Sequence, residues 1–281
     1  MEVTRVASHG TPGGRVRCTL EPAALSPRVL RTGQASAQVA LIATRALLLG
    51  GDDVRLEVRV GAGTVLELVE ISGTVAYHGR GRAASWTVDV HVEAGGRLVW
   101  DALPFVVAEG ADVERRTHVH LEPGAVALLR ETLVLGRTGE SGGRLRTTTR
   151  ADLQVEHTGP PAGPGAPSTH ELFVEDLDLG AQRSLPGILG TGRVLDTVLL
   201  LGARPAPDEA PGPLRLDLAG PGALARHLGP STHDARTQGV FARWAAGTRA
   251  VPAPPAAPSP TRPTTRPTTP LVTARPSTTG A

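Results

Sequence analysis

Apolar and polar residues alternate strictly over residues 54–60 (V-R-L-E-V-R-V), with Val54, Leu56, Val58 and Val60 on one face and Arg55, Glu57 and Arg59 on the other. A period of two predicts a half-buried β-strand. The same period runs through Trp86, Val88, Val90 and Val92 against Thr87, Asp89, His91 and Glu93, and again through residues 117–122. Aligned on one another, these segments form a weak internal repeat: V-R-V-G-A-G-T-V-L from Val58, V-H-V-E-A-G-G-R-L from Val90 and V-H-L-E-P-G-A-V-A from Val119. Gly63, Gly95 and Gly124 fall in register, about 30 residues apart. Strand, Gly turn and second apolar strand recurring at that period predict stacked units around one continuous core. An ordinary sandwich of hairpins remains the alternative at this point.

The pattern changes further along. Residues 159–168 (G-P-P-A-G-P-G-A-P-S) predict an exposed loop, because proline lacks the ladder donor and glycine leaves nothing to pack. Alternation resumes over residues 170–178, and residues 194–201 form a mostly apolar run that predicts a buried strand. The β body, residues 1–203, is expected to end near Ala203. A Pro-rich connection follows, and Leu224 and Leu228, then Val240, Phe241 and Trp244, are spaced as the apolar side of short helices over residues 204–250, with Asp234 a candidate cap. Residues 251–281 are almost wholly Pro, Thr, Ala, Ser and Arg and are expected to be disordered. The fold class expected is mainly β, an elongated stacked-sheet or β-helix-like body with a few short C-terminal α-helices.

Composition narrows the partners. Hydrophobic residues make up 40% of the 281, enough for a core, while aromatics are only 2% and Gly and Pro number 34 and 25. All 29 basic residues are arginine, and they are interleaved with acids for a net charge of +2. That spread predicts no nucleic-acid surface. Cys18 has no second cysteine to pair with, the N-terminus carries no secretion signal, and no apolar run approaches a membrane span. A soluble cytoplasmic protein is expected.

No catalytic constellation emerges. Gly187, Gly190 and Gly192 lack the G-K-[ST] sequel of a phosphate loop, and there is no G-x-S-x-G elbow for a nucleophile. His118 and His120 share a strand face and supply two imidazoles, but Arg116 and Glu122 on the same face favour a solvated polar surface over a stable metal site. His78 and His91 add donors without ligand spacing. A non-enzymatic protein is expected. A structural or carbohydrate-acting β-solenoid is the competing reading.

Three segments carry a resemblance: L-L-L-G-G-D-D-V-R-L-E-V-R-V-G-A-G at residues 47–63, L-V-W-D-A-L-P-F-V-V-A-E-G-A-D at 98–112, and L-E-P-G-A-V-A-L-L-R-E-T-L-V-L-G-R-T-G-E-S-G at 121–142. In order and spacing they resemble the UreD (UreH) family of urease accessory proteins. The likeness extends over about residues 13–201, and Gly136, Arg137, Gly139 and Glu140 look like a shortened form of the family's G-R-x-x-x-G-E signature. The segment E-I-S-G-T-V-A-Y-H-G departs from the family's Thr/Lys/Tyr-rich strand, keeping only Tyr77. The resemblance implies a β-helix-like body that bridges apo-urease to the accessory protein UreF and, through UreF, to the GTPase UreG. It implies nickel in transit through a water-filled passage, no stably bound cofactor, and GTP only on the partner. Glu70, Asp101 and Glu131 follow apolar strand positions and are candidates to line such a passage, the alternative being surface charges at strand ends. Arg137 and Glu140 are candidates for an ion pair at a partner-binding edge or for simple turn stability, with Gly136 and Gly139 as backbone devices. Leu224, Leu228, Phe241 and Trp244 are candidates to dock UreF or to cover the end of the β body.

Overall fold

The computed structural model describes residues 2–12, 14–155, 168–206 and 212–250. The expected loop at 159–168, except its last residue, and the tail at 251–281 lie outside the described residues. Two N-terminal hairpins come first, β1 (Thr4–His9) with β2 (Arg17–Glu21) and β3 (Leu25–Thr32) with β4 (Ser36–Ala43). Three coils then stack: β5 (Asp53–Val60), β6 (Val65–Glu70) and β7 (Thr74–Ala76); β8 (Ala84–Val92), β9 (Arg97–Asp101) and β10 (Phe105–Val107); β11 (Asp112–Leu121) and the long β12 (Val126–Leu135). Pairing between coils is parallel, Val58 opposite Val90 and Val90 opposite Val119. In the third coil one strand does the work of two, since β12 pairs with β9 through Val126–Arg130 and with β10 through Leu133–Leu135.

The repeat read in the sequence is this stacking. Gly63, Gly95 and Gly124 have φ of 62°, 65° and 70°, a left-handed conformation that other residues resist. Their turns hydrogen-bond to one another, Gly63 N donating to Ala94 O and Gly95 N to Pro123 O at 3.0 and 3.1 Å. Parallel pairing between successive coils rules out the sandwich of hairpins for this region, because a hairpin joins antiparallel strands.

One more parallel strand, stacked on β11, and then antiparallel strands close the body. β13 (Arg144–Gln154) and β14 (Thr169–Leu179) finish a seven-stranded sheet in the order β14-β13-β11-β8-β5-β1-β2. β15 (Val194–Leu201), β16 (Leu214–Asp217) and β17 (Gly222–Gly229) finish a ten-stranded one that also holds β12, β9, β6, β4 and β3, with β10 and β7 branching from β12. The inward residues of both sheets, among them Leu56, Val90, Leu121, Leu66, Leu98 and Leu201, form the main core.

Helix α1 (Thr237–Ala250) is the one α-helix among the described residues, alongside two short 3-10 turns. Its stripe of Val240, Phe241, Trp244 and Ala245 packs on the outer side of the larger sheet, against Val99, Val126, Leu128, Val198 and Leu200. Burying Phe241 and Trp244 contributes roughly 1.5–3 kcal/mol each. With the core on one side and the helix on the other, β15 is apolar at nearly every position, which is why it reads as a continuous run.

Three expectations are corrected here. The body does not end near Ala203, because β16 and β17 continue the larger sheet to Gly229. Leu224 and Leu228 therefore lie on a strand and not on a helix. Their spacing of four fits one helical turn, but four is also an even number, so it equally places both on one face of a strand. Asp234 falls in a 3-10 turn whose cap is Ser231, before α1 begins.

Candidate functional site

At the C-terminal end of the stack, polar residues enter the space between the sheets. On β11 the inward parity of Val113, Val119 and Leu121 also turns Arg115 and Thr117 inward. On β12 the parity of Ala127, Leu133 and Leu135 turns Glu131 inward. Arg115 and Glu131 form an ion pair, and the Arg115 guanidinium lies 5.5 Å from the centre of the Phe105 ring. A second pair crosses nearby: Arg226 of β17 grips Glu175 of β14 with two bonds of 2.6 and 2.7 Å, and its Nε donates to Thr197 Oγ1 at 3.0 Å. These groups, with Thr117, Thr147 and Thr149, line a cavity of about 60 Å³, room for at least two water molecules. The hydroxyls of Thr117 and Thr147 and Nε of Arg115 are buried without a protein partner. Buried donors and acceptors are almost always satisfied, so these are groups that water entering the space would pair.

Glu70 borders the same interior. Leu66 and Leu68 on its strand face the core, and Glu70 follows their parity. Its carboxylate accepts the Leu103 backbone N–H at 3.0 Å. Burial pushes its pKa up to about 7, against the opposing pull of that N–H and of Arg115.

Asp101 does not join them. Leu98 and Trp100 take the inward positions of β9, so Val99 and Asp101 point to the outer side, beneath α1. There Asp101 accepts from Arg130 Nη1 and Gln238 Nε2, both at 3.2 Å. Arg130 also donates two bonds of 3.2 and 3.1 Å to Asp196, which is fully buried and accepts from Thr132 at 3.0 Å and from Thr237. This cluster pins the first turn of α1 to the sheet. The last turn is held by Arg97, which donates to Thr248 O at 3.1 Å, and by the paired bonds of Arg249 to Glu67, both 3.1 Å.

The turn at Gly136–Glu140 joins β12 to β13. Glu140 accepts from Arg137 Nε at 2.8 Å, from Arg137 N at 2.9 Å and from Glu109 N at 3.1 Å, so it ties this turn to the one in the coil below. The Arg137 side chain, then its backbone N–H, hold the Glu140 pKa down at about 2. Gly136 and Gly139 have φ of 90° and 79°. Arg193 donates to the carbonyls of Gly136 and Arg137. Arg183 does the same for Ser141, Gly142 and Gly143.

Of the four candidates to dock a partner or to cover the end of the β body, Leu224, Phe241 and Trp244 are only 3%, 6% and 6% exposed, and Leu228 alone is open at 43%. Leu224 points into the main core, and Phe241 and Trp244 are consumed in covering the sheet. His118 and His120 lie on the outer face of the seven-stranded sheet, away from the cavity. Arg115, Glu175, Arg226, Asp196 and Arg130 were not singled out from the sequence. For Arg115 a signal existed, since it takes an apolar-parity position in the alternating run D-V-E-R-R-T-H-V-H-L.

No helix among the described residues is long and apolar enough to cross a membrane. The family model of the UreD urease accessory protein matches residues 15–258. Urease accessory protein UreD 1 of Streptomyces griseus subsp. griseus is 51% identical over 212 residues, covering 74% of this chain and 77% of that protein. Urease accessory protein UreD of Frankia alni is 40% identical over 193 residues, 64% of each chain. Its namesake from Frankia casuarinae is 36% identical over 206 residues, 72% of this chain and 62% of that one. The match thus spans a little under two thirds of the two Frankia proteins. With the family model matching most of its length, this chain belongs to the UreD family of urease accessory proteins.

Proposed function

We propose that this chain is a non-enzymatic maturation scaffold, acting in the cytoplasm to link the UreF/UreG GTPase complex to apo-urease and to assist nickel insertion into the dinuclear site. The single observation that carries the reading, beside family membership, is the polar-walled cavity between the sheets with Glu131 and Glu175 in its wall and Glu70 at its border. A dry apolar core rejects carboxylates, whereas a hydrated interior holds them at low cost. Oxygen donors and water suit a divalent ion that must pass without being trapped. Glu131 and Glu175 are each paired with an arginine, so an incoming Ni²⁺ competes with a guanidinium and stays weakly held. Weak, exchangeable binding is what transit requires. Nickel is cargo in this reading, and GTP hydrolysis belongs to the partner.

The test uses cells carrying a urease operon with this gene deleted, at limiting nickel. Apo-urease should accumulate, and the intact chain should restore nickel content and activity. Chains carrying Glu131→Gln or Glu175→Gln should restore several-fold less nickel while still co-purifying with the partner complex. Full metallation of urease in the deletion strain overturns the scaffold role. Full metallation with both carboxylates replaced overturns the passage alone.

A further inference from the structure

The outer face of the seven-stranded sheet carries a second group of donors that the interior does not use. Register places His91, His120 and Asp152 side by side on β8, β11 and β13, with Asp89, His118 and Arg150 on the row two residues away. Val119 and Ala151, between them in the chain, point into the core, so this face is separated from the cavity by the sheet itself. Nε2 of His118 lies 2.7 Å from Oδ2 of Asp152, and Nδ1 of His120 lies 3.7 Å from the same oxygen. The two imidazole rings are 3.8 Å apart between centres and tilted by 55°. One ligand atom from each of the three residues lies within 4.8 Å of the others. Bonds of about 2.0–2.2 Å to a single ion need donors about 3–3.5 Å apart, which small side-chain rotations supply.

We propose that His118, His120 and Asp152 form an exchangeable surface site for a divalent first-row transition ion. Two imidazoles and one carboxylate favour Ni²⁺, Cu²⁺ or Zn²⁺ over Mg²⁺ or Ca²⁺, which prefer oxygen alone. Three protein ligands on an open face leave the remaining positions to water. Neighbouring charges do not oppose an ion: Arg116 is paired with Glu114, Arg150 with Glu171, and Arg59 with Glu93. His91 is engaged by Glu122 at 3.0 Å, whose other oxygen accepts Ala94 N, so it stands beside the trio without belonging to it. This inference is independent of the maturation role.

The test is titration of the full chain, carrying no polyhistidine tag, with Zn²⁺ or Ni²⁺ in competition with a chromophoric chelator. One equivalent should be lost, or weakened at least tenfold, in His118→Ala/His120→Ala and in Asp152→Asn, and retained in Glu131→Gln. Millimolar Mg²⁺ should not displace it. The replaced side chains are on a solvated face, so the circular dichroism spectrum should not change. X-ray absorption of the Zn²⁺-loaded unaltered chain gives a readout independent of any variant, and scattering from two imidazoles is expected. Unchanged stoichiometry and affinity in the double variant, or a first shell without imidazole, overturns the site.

Discussion

Arg226 and Glu175 join opposite sheets at the C-terminal end of the body, their two bonds of 2.6 and 2.7 Å spanning from β17 to β14. Each side chain is about one-fifth exposed, so the pair is only partly screened. Glu175→Ala leaves a guanidinium facing the cavity without its partner and should destabilise the protein by about 1–3 kcal/mol. Glu175→Leu combined with Arg226→Met should recover most of that loss. Denaturant unfolding of the parent, Glu175→Leu, Arg226→Met and the double variant as a double-mutant cycle measures the coupling.

Glu70 makes stability depend on pH. Its folded pKa of about 7 lies above the ordinary carboxylate value of 4.5, so the folded state prefers the protonated form. Stability from this group is fully present below about pH 4.5 and is lost as pH rises through 7. Glu70→Gln should therefore match the parent at pH 4.5 and exceed it by roughly 1–3 kcal/mol above pH 8. Melting temperatures of both proteins from pH 4.5 to 8.5 decide this, and a constant difference across the range refutes it.

Asp196 should be the residue on which the seating of α1 most depends. Its replacement by Ala removes the acceptor for Arg130, Thr132 and Thr237 at once and leaves buried donors without partners. A cost of about 3–5 kcal/mol is expected. Hydrogen exchange should rise first in residues 237–250, before the stacked coils open.

Within the turn after β12, two glycines should respond differently to alanine. Gly139 has φ of 79° with nothing within 4 Å of an added Cβ, so Gly139→Ala meets only the conformational penalty of about 1–2 kcal/mol. Gly142 has φ of 81°, and its Cβ would lie 2.6 Å from backbone atoms of Gly136 and Leu135. Gly142→Ala should cost clearly more and shift the turn held by Arg183. Equal losses in thermal unfolding would contradict this account.

By itself the sequence determined the strands and their repeat, because the alternation of residues 54–60, 86–92 and 117–122 and the spacing of the glycines at 63, 95 and 124 are local properties of the chain, whereas the choice of parallel stacking over a sandwich of hairpins was made by pairing between distant strands. The strand at 194–201 was legible for the same reason. Which carboxylates face the interior was not, because in R-L-V-W-D and V-A-L-L-R-E both faces of the strand are buried and apolar residues stand at consecutive positions. Alternation disappears there, and only the packing of Leu98 and Trp100 into the core turns Asp101 outward while Glu131 turns inward. The fate of Leu224 and Leu228 was undecided for a related reason, a spacing of four being common to helix and strand. The tertiary structure also decided where α1 lies, since its apolar stripe has no marker for the surface it covers until the larger sheet presents one.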